Sequence, residues 1–374
     1  MVILMGFLDK IFEPKYDFDD GFHTKVKKVN KINKDSVLAD IAKKESDLYI
    51  CERAVEKISD ASLLADVAKV FHEDNFDSNG NERISTFSVY EVGEKIIEKI
   101  SDESLLVDVV NNARSPVVSK NAVQKINDES ALSDIAKNDS NKYVREEAVK
   151  KINNQSILED IAKNAPTEDV REEAVKKINN QSILEDIAKN DSNKDVREEA
   201  VKKINNQSIL EDIAKNDSHE YVREEAVKKI NNQSILEDIA KNDSHEYVRE
   251  EAVDNISDES VLADIIENND SYSVRRRAIY KIKDKNIISR KGVQSFLVEI
   301  ATNHDESFNT CKFAINRIDN KDVLRKLAKD ERSEYIKTAE YYEESIGHEE
   351  RIIEGYTQKP IQLAAKKRLK ELEN

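Results

Sequence analysis

Apolar residues return along this chain at helical spacings that alternate between two stripes. Val144, Ala148 and Ile152 fall at i, i+4 and i+8 with Val149 beside them, which is the pattern of a helix that buries one face. Asn153 and Asn154 follow, residue types that tolerate helix ends and turns, and then Ile157, Leu158, Ile161 and Ala162 draw a second stripe. The pattern predicts two short helices per unit, paired as a helical hairpin.

The unit repeats. VREEAVKKINNQSILEDIAKN, beginning at Val144, recurs letter for letter from Val170, Val196 and Val222. Aligned on the isoleucine of "KKI", eleven units run from Ile32 to Ile318. Most steps are 26 residues, with 42 between Ile58 and Ile100 and 36 between Ile282 and Ile318. Because repeats of this kind pack only on their neighbours, the expected fold is all-α: a right-handed α-solenoid of about eleven helical hairpins with a 26-residue period. The solenoid spans 23–345, with insertions near 70–86 and 283–313. Residues 1–22 are expected to form an N-terminal cap or docking helix, with Leu4, Leu8 and Ile11 on one face, and residues 346–374 C-terminal capping helices.

The residue before each second stripe is Ser156 or its equivalent, ending with Asn286 and Asp322. All are types whose side chain accepts from orphan N–H groups, so each is expected to cap a helix, and S-I-L-E adds Glu159 as a capping box. Glu146 to Lys150, Glu147 to Lys151 and Glu159 to Lys163 have the i, i+4 spacing of solvated helix pairs. Asp160 persists in most units and is expected to pair across the stack with Arg145 and its equivalents; the alternative is a row of acids facing a partner. Tyr143, Tyr221 and Tyr247, with His219 and His245 beside two of them, are candidate partner contacts along one edge, unless the rings merely cover the neighbouring repeat.

Charged residues make up 36% of the chain and the formal charge is −16, a field that repels phosphate backbones and anionic lipid. Nucleic acid is therefore not an expected partner. Cys51 and Cys311 are far apart in sequence and lack metal-ligand spacing, which suits a reducing cytoplasm. No run approaches the roughly 18 to 20 apolar residues of a membrane span, and MVILMGFL lacks the flanks of a signal peptide. Asn75 to Gly80 resembles the start of a calcium loop, but Thr86 stands where a bidentate Glu belongs. No cofactor is expected.

"NDS-x-x-x-VREEAVKKI" followed by "S-x-L-x-x-I-A" resembles HEAT-like repeats and also variant leucine-rich repeats; both are α-solenoids. One enzymatic HEAT-like branch, the deoxyhypusine hydroxylases, holds two irons through His-Glu pairs after the Val-Arg position, where this chain has Glu146 and Glu147. The resemblance therefore implies a non-enzymatic scaffold that binds a protein or peptide of basic character. The alternatives are a passive spacer or, less favoured, an enzyme with a HEAT-like core. The basic stretch 351–374 leaves room for weak head-to-tail self-association.

Overall fold

The computed structural model describes residues 15–71, 86–303, 305–329 and 360–373. Every regular element among them is a helix, 24 in all. Most are ten residues long, too short to be stable alone in water, so each depends on burying its stripe against neighbours. The chain is an α-solenoid of tandem helical repeats, and it divides after Ile204 into two compact units.

In the first unit the first helices of successive repeats include Leu48–Lys57, Pro116–Lys125, Lys142–Lys151, Glu168–Lys177 and Lys194–Lys203. The second helices include Ala61–Val70, Glu129–Asn138, Gln155–Asn164 and Gln181–Asn190. The second unit continues with second helices Gln207–Asn216, Gln233–Asn242 and Glu259–Asn268 and first helices Glu220–Val227, Glu246–Asn255 and Tyr272–Lys281. Inside each unit first helices pack on first helices and second on second. The closest packing joins each second helix to the first helix that follows it, as in Glu129–Asn138 against Lys142–Lys151 or Gln233–Asn242 against Glu246–Asn255. The tight hairpin therefore turns at 139–141 or 243–245, between one repeat and the next, and not at Asn153-Asn154 as expected; Ile-Asn-Asn is an open corner.

Both stripes are core. Val144, Ala148, Val149, Ile152, Leu158, Ile161 and Ala162 are all at most 1% exposed. A fully buried Val, Leu or Ile contributes about 1.5–3 kcal/mol, and here the alternation of Ala with larger residues lets the short helices approach closely.

The helix starts lie two residues earlier than the serines. Asn154 has extended backbone (φ −65°, ψ 112°), and its side-chain oxygen accepts from the N–H groups of Ser156 and Ile157 at 3.0 and 3.4 Å. Ser156 is the exposed second residue of the helix and caps nothing. The same offset holds at Asp60, Asp102, Asp128, Asp258, Asp284 and Asn320. An Asx side chain satisfies the N–H groups two and three residues on, so Asn-x-Ser puts the cap on Asn. The Glu159 capping box does not form either; its carboxylate accepts from Asn180 of the next repeat at 3.0 Å.

The insertions leave the stacking register intact. Lys69 pairs with Asp108 at a separation of 39 residues where Lys137 and Asp160 are 23 apart, the difference being the 16 inserted residues. The second insertion breaks a helix: Lys285–Ile288 stops after four residues and Lys291–Thr302 resumes. Residues 1–14 of the expected N-terminal helix and the calcium-like run from Asn75 to Gly80 lie outside the described residues. At the C-terminal end Pro360–Glu373 packs on Phe308–Ile315 and Lys321–Leu327.

Replacing Asn154 by Ala is expected to cost about 0.5–2 kcal/mol in denaturant unfolding of the full chain, and replacing Ser156 by Ala close to nothing. The opposite order would restore the serine as cap.

Backbone ladders and a candidate partner edge

Each Ile-Asn-Asn corner leaves the last carbonyls of its first helix without intrahelical donors. The second lysine of the following repeat's "KKI" supplies them. Lys203 Nζ donates to the carbonyls of Val175, Lys176 and Ile178 at 3.0, 2.6 and 2.6 Å, one acceptor for each ammonium proton. Lys57, Lys125, Lys177 and Lys281 do the same one repeat back. Lys151 reaches Gln124 and Ile126 carbonyls, so it does not form the expected pair with Glu147. Partial burial draws Lys177 and Lys203 below the usual lysine range, while the carbonyl dipoles hold them in place.

The lysine is missing at Asn255, and the helix opposite it is short, although Tyr272–Lys281 keeps ten residues with Arg317 in the lysine's place. Asn255 bonds within its own helix to Glu251, and the helix a lysine there would cap, Glu220–Val227, ends after eight residues instead of ten. The corner's N–H groups are met from the other side. Glu129 accepts from Asn153 and Asn154, Gln155 accepts from Asn179 while donating to Lys177 O, and Gln233 accepts from Ser257 while donating to Asn255 O.

The Asp160 row pairs, but with lysine and not with Arg145. Lys163 contacts Asp186 and Lys215 contacts Asp238, both at 2.8 Å, and Asp160 takes Lys137. The penultimate lysine of each second helix lies on the same face as the acid of the next second helix, whereas the arginines point into the inter-repeat turns. Lysine, and then an asparagine four residues on, hold the Asp160, Asp186 and Asp238 carboxyls below the ordinary aspartate range. Their contribution is therefore present at neutral pH, is lost as pH falls through that range, and is weakened by salt because about half of each side chain is exposed.

The arginine row forms a separate, buried ladder. Arg171 and Arg223 donate Nη1 to the carbonyls of Ala165 and Asp217 in their own turn. Their Nε and Nη2 grip the carboxylates of Asp191 and Asp243 in the next turn at 2.7–2.9 Å. Arg145 meets Ala165 where that acid would stand, and takes Asp169 at 3.0 Å instead. Outside residues 145–275 the same position holds Lys25, which takes Glu45 at 3.0 Å, and otherwise small residues. Cys51 Sγ donates to Glu45 O, Ser119 Oγ to Val110 O and Cys311 Sγ to Ile300 O. Burial pushes the Cys51 thiol up to about 12, so it is protonated at neutral pH.

With the ladders fixing each turn, the candidate edge residues stand at the starts of first helices. Tyr143, Tyr221 and Tyr247 are 60%, 49% and 61% exposed. His219 and His245 occupy the cap positions of their helices, with rings 5.3 and 5.4 Å from Tyr221 and Tyr247. Tyr49, nine residues before Ile58 as Tyr143 is before Ile152, belongs to the same row and was legible from the alignment. Rings in this row already take cations: Lys142 lies 5.0 Å over Tyr143 and Arg53 5.4 Å over Tyr49. Among the described residues no cluster of three or more His, Cys, Asp or Glu is placed to hold a metal ion, and no helix is long and apolar enough to cross a membrane.

No family model matches the chain, and no curated protein matches it. Solved structures similar to it include the designed armadillo repeat protein YIII(Dq)4CqI, at 18% identity over 91% of this chain and 100% of that one, with a TM-score of 0.10. A second is the designed armadillo repeat protein YIII(Dq.V1)4CPAF in complex with peptide (KR)4, at 17% identity over 90% and 98%, TM-score 0.10. A structure from the computational design of self-assembling cyclic homooligomers shares 14% identity over 100% and 99%, TM-score 0.08.

Two substitutions probe the ladders. Asn255→Lys is expected to restore the missing cap and raise stability by about 0.5–1.5 kcal/mol, with slower amide exchange at Lys228 and Lys229. Arg223→Lys keeps the charge but loses the planar fork, and in denaturant unfolding is expected to approach the about 3–5 kcal/mol of a broken buried pair. A change near zero would show that Asp243 is satisfied without it.

Proposed function

We propose that the protein is a non-enzymatic, HEAT-like scaffold that binds a protein or peptide of basic character along the tyrosine edge. The observation that carries this reading is the recurrence, in consecutive repeats, of one exposed arrangement: His219-Glu220-Tyr221 and His245-Glu246-Tyr247, each at a helix start fixed by the turn beneath it. An exposed ring beside a carboxylate suits a lysine or arginine head, which gains about 0.5–2 kcal/mol over an aromatic face. The chain's net charge of −16 favours encounter with such a partner. The arrangement at His219 returns 26 residues on at His245, which suits a ligand whose own contacts repeat.

The test is fluorescence anisotropy with a short labelled Lys/Arg-rich peptide and the full chain. Binding is expected to weaken steeply as salt rises, and Tyr221→Ala with Tyr247→Ala together to weaken it about tenfold at fixed salt while the far-ultraviolet circular dichroism is unchanged. Binding by the double variant equal to that of the parent would remove the tyrosine edge from the account. Absence of salt-dependent binding by the parent would remove the basic partner.

A further inference from the structure

One rung of the arginine ladder lacks its acid. Arg249 donates Nη1 to the carbonyl of Asp243 in its own turn at 2.7 Å, as Arg171 and Arg223 do in theirs. In the next turn Asn269 stands where Asp191 and Asp243 stand for those two arginines. Asn269 donates its amide to Ala240 O at 3.0 Å and accepts from the Ser271 N–H at 2.9 Å, so it does not turn toward the guanidinium. The second acid position, used by Arg145 through Asp169, is Ser273 for Arg249. Arg249 Nε is buried with no acceptor, as are Arg145 Nε and Arg275 Nε, but those two arginines hold Asp169 and Glu299 through their Nη groups, whereas among the described residues Arg249 has no carboxylate within ion-pair distance. The Nε and Nη2 edge that grips Asp191 and Asp243 bidentately is thus unfilled in this rung alone of the three.

A buried donor left without an acceptor is costly, and a planar guanidinium edge is shaped for one oxyanion geometry, two parallel N–H···O bonds to a carboxylate. We propose that the Arg249 edge is a carboxylate-binding site, completed by an Asp, Glu or chain-terminal carboxylate of a bound peptide. The second acid position lies at the same place in the repeat as Tyr143, Tyr221 and Tyr247, so a ligand lying along the tyrosine edge reaches it. Such a site answers a difficulty that near-identical repeats create. A ligand reading one His-Glu-Tyr arrangement can seat at His219 or, 26 residues on, at His245, whereas one carboxylate placed at Arg249 fixes its register. That role rests on the partner reading above; the site itself does not.

The experiment follows arginine Nε–Hε resonances of the ¹⁵N-labelled full chain during titration with sodium acetate at constant ionic strength, with inorganic phosphate as a parallel arm. The Arg249 resonance, assigned by its loss in Arg249→Lys, is expected to shift with saturation under acetate while those of Arg171 and Arg223 hold still. Asn269→Asp, which fills the rung from within, is expected to weaken the acetate response about tenfold or more. Equal, non-saturating shifts of Arg249 and Arg223, an undiminished response in Asn269→Asp, or saturation by phosphate but not acetate would each overturn the assignment. No peptide is needed, so failure of the Lys/Arg-rich peptide to bind alongside a saturating acetate response would sink only the partner reading.

Discussion

The structure depends on a lysine ammonium held by three backbone carbonyls of the preceding repeat. Two ten-residue helices joined by a three-residue corner expose carbonyl groups that neither helix can satisfy, and hydrophobic stripes do nothing for them. Lys203 on Val175, Lys176 and Ile178 resolves this with a group whose three protons match three acceptors. Because the donor belongs to the next repeat, no repeat is complete alone. The same holds on the opposite side, where Glu129 and Gln155 meet the corner N–H groups of the repeat that follows. Opposite Asn255, where the contact is absent, Glu220–Val227 stops after eight residues.

Charge in this chain is therefore mostly architecture. Of "VREEAVKK", the arginine is committed to turn carboxylates and the last lysine to carbonyls. The other lysine pairs with glutamates of its own helix, as Lys202 does with Glu198 at 3.1 Å and Glu199 at 3.2 Å. The aspartate row is tied to lysines of the preceding second helix. The letter that changes from repeat to repeat is the position before the Val-Arg pair, which varies between Asp and Tyr. That variation has a structural side: Asp169 serves Arg145 because Ala165 cannot, which frees the tyrosines elsewhere from that duty.

The repeat period, the all-helical class, the buried stripes and the existence of eleven units were legible in the sequence, because a 3.6-residue apolar period and a 26-residue recurrence leave one economical packing. Tyr143, Tyr221 and Tyr247 were legible as edge residues because they vary at a position where the surrounding letters do not. The helix caps were misplaced by two residues because Asn-x-Ser offers two capable caps, and only the extended backbone at Asn154 tells which one acts.

Sequence by itself determined which residues are inside and how often the pattern returns, since both follow from local periodicity. Tertiary structure decided which charge meets which. Lys137, Arg145 and Lys151 all have an acid at plausible spacing, yet one pairs with Asp160, one with Asp169 and one with backbone carbonyls. Spacing along a helix ranks contacts within that helix, whereas these contacts cross from one repeat to the next and depend on the offset between stacked helices. The unfilled edge of Arg249 is visible for the same reason only in the fold: Asn269 and Ser273 are unremarkable letters until the neighbouring guanidinium is placed against them.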